Sequence, residues 1–218
     1  MTRTPFVIYG AGGHAREMRD VVDACIADGA AWELAGWVSD HAVAGEALDG
    51  LPVAPWDAWR EHRPHVLIAI GTPQVRRRVA QQLSVDGVAF PAVVHPGVHR
   101  GRRVTIGTGV QAAAGCALTA DVVVGDFVLL NRGVQVSHDD VIGPYVTLNP
   151  LVSLSGNVHV GEGANFGTGV VAIPGVRVGA WSVVGAGTVL IRDVADNAVV
   201  VGNPGREVKR RSPGWFGE

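Results

Sequence analysis

In the second half of this chain an aliphatic residue recurs at every sixth position. From Ile106 to Leu190 the series reads Ile106, Ala112, Leu118, Val124, Leu130, Val136, Ile142, Leu148, Leu154, Val160, Phe166, Ala172, Val178, Val184 and Leu190, with no polar member. A second series four residues on, from Val110 and Cys116 to Val176, is small or aliphatic throughout except at Asp140. Glycine follows every third member of the first series, at Gly107, Gly125, Gly143, Gly161 and Gly179, which sets an eighteen-residue beat. A strand alternates faces, so one inward residue in six makes one short side plus a corner, and three sixes make one triangular coil. The pattern therefore predicts a hexapeptide parallel β-helix of five coils, about 24 Å tall at roughly 4.8 Å per coil. A β-sandwich of short strands would not hold so strict a period without slips.

The residues before the repeat follow another pattern. Phe6–Tyr9 is an apolar run that predicts a strand; Gly10-Ala11-Gly12-Gly13-His14-Ala15 follows, then a helical stretch to about Asp28. A second strand, Glu33–Val38, ends at Ser39-Asp40, and a third, Val66–Ile70, ends at Gly71-Thr72 before a basic helix carrying Arg76, Arg77 and Arg78. Strand, glycine turn and helix bring backbone N–H groups and a helix N-terminus to face an anion. The same turn also serves as a tight connection, and the glycines alone do not decide between the two. Asp40 stands where an acid could meet a ribose hydroxyl or a base, His14 where it could reach a phosphate or merely neighbour the cap. The three arginines read as a solvated helix face. Three parallel strands with their helices are half of a dinucleotide fold, so the expected ligand is one nucleotide diphosphate unit, as in a nucleotide-sugar. The chain divides into a nucleotide-sugar-binding half-Rossmann domain, 1–91, and a β-helix with a C-terminal tail, 92–218.

Composition narrows the function. A chain that is 47% apolar and 17% charged is a globular protein with a sizeable core. Its net charge of −2 argues against general binding to nucleic acid or a membrane surface. No stretch approaches the roughly 20 apolar residues of a membrane span, and a cytoplasmic location is expected. Cys25 and Cys116 have no metal-type spacing, and Cys116 takes an inward position as a reduced core residue. His95, His99 and His159 do not repeat with the coil, so no zinc site is expected. The chemistry concentrates at Ser137-His138-Asp139-Asp140, where three titratable groups interrupt the apolar pattern at a corner. A histidine beside carboxylates can be held in one tautomer and act as a general base, or it can be an ordinary surface residue.

The Gly-Ala-Gly-Gly-His-Ala turn opening a half-Rossmann domain, the coils with an internal His138-Asp139, and the closing Val201-Gly202-Asn203-Pro204-Gly205 together resemble the NeuD/PglD-type sugar acyltransferases. The resemblance covers essentially the whole chain. It implies a left-handed β-helix, although the usual rule for parallel crossovers suggests a right-handed one. It also implies a homotrimer, acetyl-CoA as donor, no metal, and N-acetylation of a UDP- or GDP-linked 4-amino-deoxysugar in cell-surface polysaccharide synthesis. O-acetylation of sialic acid or another sugar is the alternative, followed by a non-catalytic nucleotide-sugar sensor and a zinc-dependent hydratase. By the same resemblance His138 is the base and Asp139 the acid that orients it. Gly12, Gly13, His14, Asp40, Gly71 and Asn131 fall at the acceptor. Thr147, Gly156, Gly167, Thr168, Ala186, Gly187, Asn203 and Pro204 fall along the coenzyme. Thr147 stands where some members carry a second histidine, nine residues after the base, so a hydroxyl or a backbone amide is left to meet the thioester. The basic tail, Gly205–Arg211, could meet the coenzyme's phosphates.

Overall fold

The computed structural model describes residues 3–215. The outermost residues of the two expected domains, 1–2 and 216–218, lie outside the described residues. The first part is built from β1 (Thr4–Tyr9), α1 (Gly13–Ala27), β2 (Trp32–Val38), β3 (Ala47–Leu48), β4 (Leu51–Ala54), β5 (His65–Ile68) and α2 (Pro73–Ser84). They form one sheet in the order β3-β4-β2-β1-β5, parallel except for β3. β1, paired on both edges by β2 and β5, reads as a continuous apolar run because both its faces are covered, and Phe6, Val7 and Ile8 are fully buried. Ala15, Met18, Val22 and Cys25 of α1 pack on one side, and Val79, Ala80 and Leu83 of α2 belong to the cluster on the other. The pattern missed β3 and β4, which are too short to show a period, and β5 ends two residues before the expected Ile70.

From Val93 onward the chain winds through mostly two-residue strands into three sheets of six, five and eight strands, parallel except for the last strand of the eight. Up to Leu190 the coil-to-coil steps pair residue i with i+18, as in Leu118↔Val136, Val136↔Leu154, Leu154↔Ala172 and Ala172↔Leu190, and the closing step shortens to i+16, as in Val183↔Val199. This is the left-handed parallel β-helix of hexapeptide repeats that the spacing and the resemblance led us to expect. Both inward series are buried, with only Ile106 at the entrance partly open. The winding runs beyond the five predicted coils, from Val93–Val94 to Val189–Leu190, and closes on Ala198–Val201. The basic tail is not a loose arm: Arg206–Arg210 is a strand antiparallel to Ala198–Val201.

The two parts are joined by a contact that no periodicity announces. Arg76, expected on a solvated face, is fully buried. Its guanidinium donates to the carbonyls of Ile70 and Gly71 on its own side and of Phe127, Tyr145 and Val146 across the seam, at 2.6–3.2 Å, and to Thr147 Oγ1 at 2.9 Å. Burial without a carboxylate partner pulls its pKa down to about 9. Beside it the rings of Phe127 and Tyr145 stack from one coil to the next, and Phe90 meets Phe127 edge-on. Arg77 reaches Glu162 at 3.6 Å and lies over the Trp181 ring. Arg76 and Arg77 thus dock α2 onto the β-helix, while Arg78 is exposed as expected. Among the described residues no helix is long and apolar enough to cross a membrane.

Candidate active site

His138 leaves the strand Gln135–Val136 at a corner of the prism. Asp139 takes left-handed backbone angles there (φ 61°), as do Arg103, Asp121 and Asn157 on neighbouring coils. These corners stack, with the N–H groups of Asp121, Asp139 and Asn157 donating to the carbonyls of Arg102, Ala120 and His138. The bend turns both side chains outward, 61% exposed for His138 and 53% for Asp139, and sets Asp139 Oδ2 2.9 Å from His138 Nδ1. With Nδ1–H held by the carboxylate, Nε2 keeps its lone pair. The ring lies against Gly156, where a Cβ would come within 2.9 Å of Nε2. Asp121, one coil before Asp139 along this corner, is gripped by both arms of Arg103. Asp140 turns the other way, into the core, and burial pushes its carboxyl up to about 6.

Of the residues expected at the acceptor, Gly12, Gly13, His14, Asp40 and Gly71 lie beyond the carboxyl ends of β1, β2 and β5, the usual ligand crevice of such sheets, and Asn131 follows Leu129–Leu130 of the β-helix. In the first turn the strained residue is Gly10, not Gly12 or Gly13: its φ is 121°, and a Cβ would lie 3.0 Å from the Ala69 carbonyl. Gly12 and Gly13 face open space. His14 is turned toward the β-helix, its Nε2 3.0 Å from the Gln111 amide oxygen, and the Gln111 amide donates to the Ile68 carbonyl at 2.7 Å. Burial, with the nearby Arg76 charge, pulls the His14 pKa below its ordinary value. One ring nitrogen is therefore committed to the seam and is not free for a phosphate. Asp40 accepts the Tyr9 hydroxyl at 2.6 Å. A cavity of about 180 Å³ opens between α1 and the first coils, walled by His14, Glu17, His95, Asn131 and Arg132 among others. It unites two expected acceptor residues, His14 and Asn131, but its walls do not include His138.

The residues expected along the coenzyme divide. Thr147 does not sit where a thioester could reach it: it is buried in the seam, donating to the Gly71 carbonyl at 2.8 Å and accepting from Arg76. Its hydroxyl is committed because the sheet face that carries it is the one covered by α2, and the Gly71 carbonyl is committed with it. Gly156 sits under the His138 ring. Gly167-Thr168 and Ala186-Gly187 form one edge, with Gly187 N–H donating to the Thr168 carbonyl at 2.8 Å and no room for a Cβ between Gly167 and Ala186. Asn203 and Pro204 lie exposed in the turn before the last strand. Sequence reasoning missed Arg76 and Gln111, whose partners lie 43 or more residues away across the seam, apart from the Ile70 and Gly71 carbonyls. Asp140 was visible as a break in the inward series, without a role.

Residues 5–83 match the PglD N-terminal domain family. No curated protein matches the chain in sequence. Among solved structures, PerB from Caulobacter crescentus, in complex with CoA and GDP-perosamine, is 32% identical with a TM-score of 0.85, over 94% of this chain and 97% of that one. WeeI from Acinetobacter baumannii AYE is 30% identical with a TM-score of 0.86, over 94% of this chain and 100% of that one. The acetyltransferase domain of PglB from Neisseria gonorrhoeae FA1090 is 26% identical with a TM-score of 0.86, again over 94% and 100%.

Proposed function

Because the chain belongs to the NeuD/PglD-type family of hexapeptide-repeat sugar acetyltransferases, we propose that it transfers the acetyl group of acetyl-CoA directly to the amine of a nucleotide-linked 4-amino-deoxysugar, with His138 as general base. The observation that carries this reading is the 2.9 Å contact between Asp139 Oδ2 and His138 Nδ1, on a ring exposed to solvent and backed by Gly156. The amine lone pair attacks the thioester carbon, Nε2 takes the amine proton, and the C–S bond breaks as the thiolate leaves and is reprotonated. A backbone N–H at a glycine corner receives the developing oxyanion, a role for which the Thr147 hydroxyl is no longer available. No acyl-enzyme is needed: both cysteines are buried, and burial raises the Cys25 thiol pKa and the Cys116 thiol pKa, the latter to about 11.

In this reading residues 1–91 hold the acceptor, with Gly12, Gly13 and Asp40 lining the crevice and His14 and Gly71 shaping its floor, to which Asn131 of the β-helix adds. Residues 92–218 carry the chemistry, with the coenzyme along Gly156, Gly167-Thr168, Ala186-Gly187 and Asn203-Pro204. The GDP-perosamine bound by PerB supports a nucleotide-linked amino sugar as the acceptor class. The two substrates place the reaction in the cytoplasm, upstream of a cell-surface glycan. The test is His138→Ala with acetyl-CoA and GDP- or UDP-linked 4-amino sugars. We expect kcat to fall by about 10²–10⁴ with little change in either KM. A variant that keeps its kcat, or a wild type that prefers free sialic acid, would remove this assignment.

A further inference from the structure

The second inward series of the β-helix is aliphatic or small at eleven of the positions from Val110 to Val176 and acidic only at Asp140, which is as fully buried as its valine neighbours. Its carboxylate has specific partners. Oδ2 accepts the Ser137 N–H and Oδ1 the Val158 N–H, each at 2.8 Å, and the Gly156 N–H also bonds it. These three peptides surround the base: Ser137 precedes His138, Gly156 lies against its ring, and Val158 follows Asn157, whose N–H holds the His138 carbonyl. At the corners Asn131–Val134 and Asn149–Val152, on another face of the prism, the fourth residue's N–H bonds the first residue's carbonyl. At the corner that carries His138 the first residue's own N–H, that of Ser137, is instead held by a side chain from the core.

We infer that Asp140 is a positioning residue for acetyl transfer: its buried carboxylate ties the peptide before His138 to the corner of the next coil on which the imidazole rests, and so fixes the ring against Asp139. This rests on the reading of His138 as the base. The position itself does not require a carboxylate for packing, since valine fills it on the coils to either side. Removing the carboxylate leaves the Ser137 and Val158 N–H groups without an acceptor and costs stability. A loosened base costs rate instead, because a displacement of about 1 Å at a reacting group can cost about a hundredfold.

The test compares Asp140→Val and Asp140→Asn with wild type, each alone and combined with His138→Ala, using acetyl-CoA and the nucleotide-linked 4-amino sugar that the wild type turns over. Asp140→Val is expected to lower kcat about 10- to 100-fold with both KM values within about twofold. Asp140→Asn, which keeps one acceptor, should fall between it and wild type. In the His138→Ala background neither change should cost more, because the group it positions is gone. Should Asp140→Val fail to fold, Asp140→Asn carries the same comparison. The inference is overturned if the Asp140 variants keep wild-type kcat while His138→Ala is inactive. It is equally overturned if their losses track only the folded fraction, or multiply with that of His138→Ala. Full activity of His138→Ala would overturn the reading of the base, and this inference with it.

Discussion

Gly156 fixes how closely the backbone may approach the imidazole. Its φ of 96° lies where side chains are strained, and a Cβ would sit 2.9 Å from His138 Nε2. Gly156→Val should therefore push the ring off Asp139. We expect kcat to drop about tenfold or more and stability to fall by about 1–3 kcal/mol from backbone strain. Steady-state kinetics and chemical denaturation measure the two separately, and a variant with unchanged kcat would show that the ring does not need this wall. At this scale the sequence was legible where a residue broke a period. Asp140 stood out because its coil position is otherwise small or aliphatic, and with it the adjoining His138 and Asp139. Thr147 was misplaced because its fate depends on Gly71, 76 residues away, and on a helix whose docking leaves no mark in the six-residue pattern.

At the scale of elements, the seam between α1, α2 and the β-helix holds charge away from water. Arg76 was unreadable because a buried arginine and a solvated one have the same sequence context, an amphipathic helix. Titration reaches this seam through His14 and reaches the core through Asp140, with opposite signs. The folded His14 pKa lies below its ordinary 6.5, so the unfolded chain takes up that proton first and stability is lost as pH falls through 6.5. Asp140 is raised from 3.8 to about 6, so the folded state takes up its proton first and stability is gained as pH falls through that window. Wild type should accordingly show a shallow stability profile between about pH 7 and pH 5. His14→Gln should gain stability on acidification and Asp140→Asn should lose it. Denaturation midpoints for the three proteins across that range test this, and parallel profiles would show that neither group governs acid stability.

At the scale of the whole molecule the β-helix was the most legible part, since its period is the fold, whereas the way two domains meet had to come from contacts between distant residues. One consequence of that meeting is that the cavity holding His14 and Asn131 and the corner holding His138 are not the same place on one chain. A cyclic trimer of prisms would close this gap by setting one protomer's base in a groove beside its neighbour's acceptor crevice, and would cover apolar residues such as Leu151, which is 65% exposed. Light scattering should report a trimer. The stronger test mixes two inactive proteins. His138→Ala lacks the base but keeps the crevice. Gly12→Trp keeps the base, folds because the Gly12 Cβ position is open and its φ of −83° suits any residue, and blocks the crevice with its indole. After unfolding and co-refolding, sites assembled from an intact corner of one protomer and an intact crevice of the next should recover activity that neither parent has. If mixing restores nothing although mixed trimers form, each site lies within one protomer, and the N-terminal domain must bring its own acceptor to its own His138.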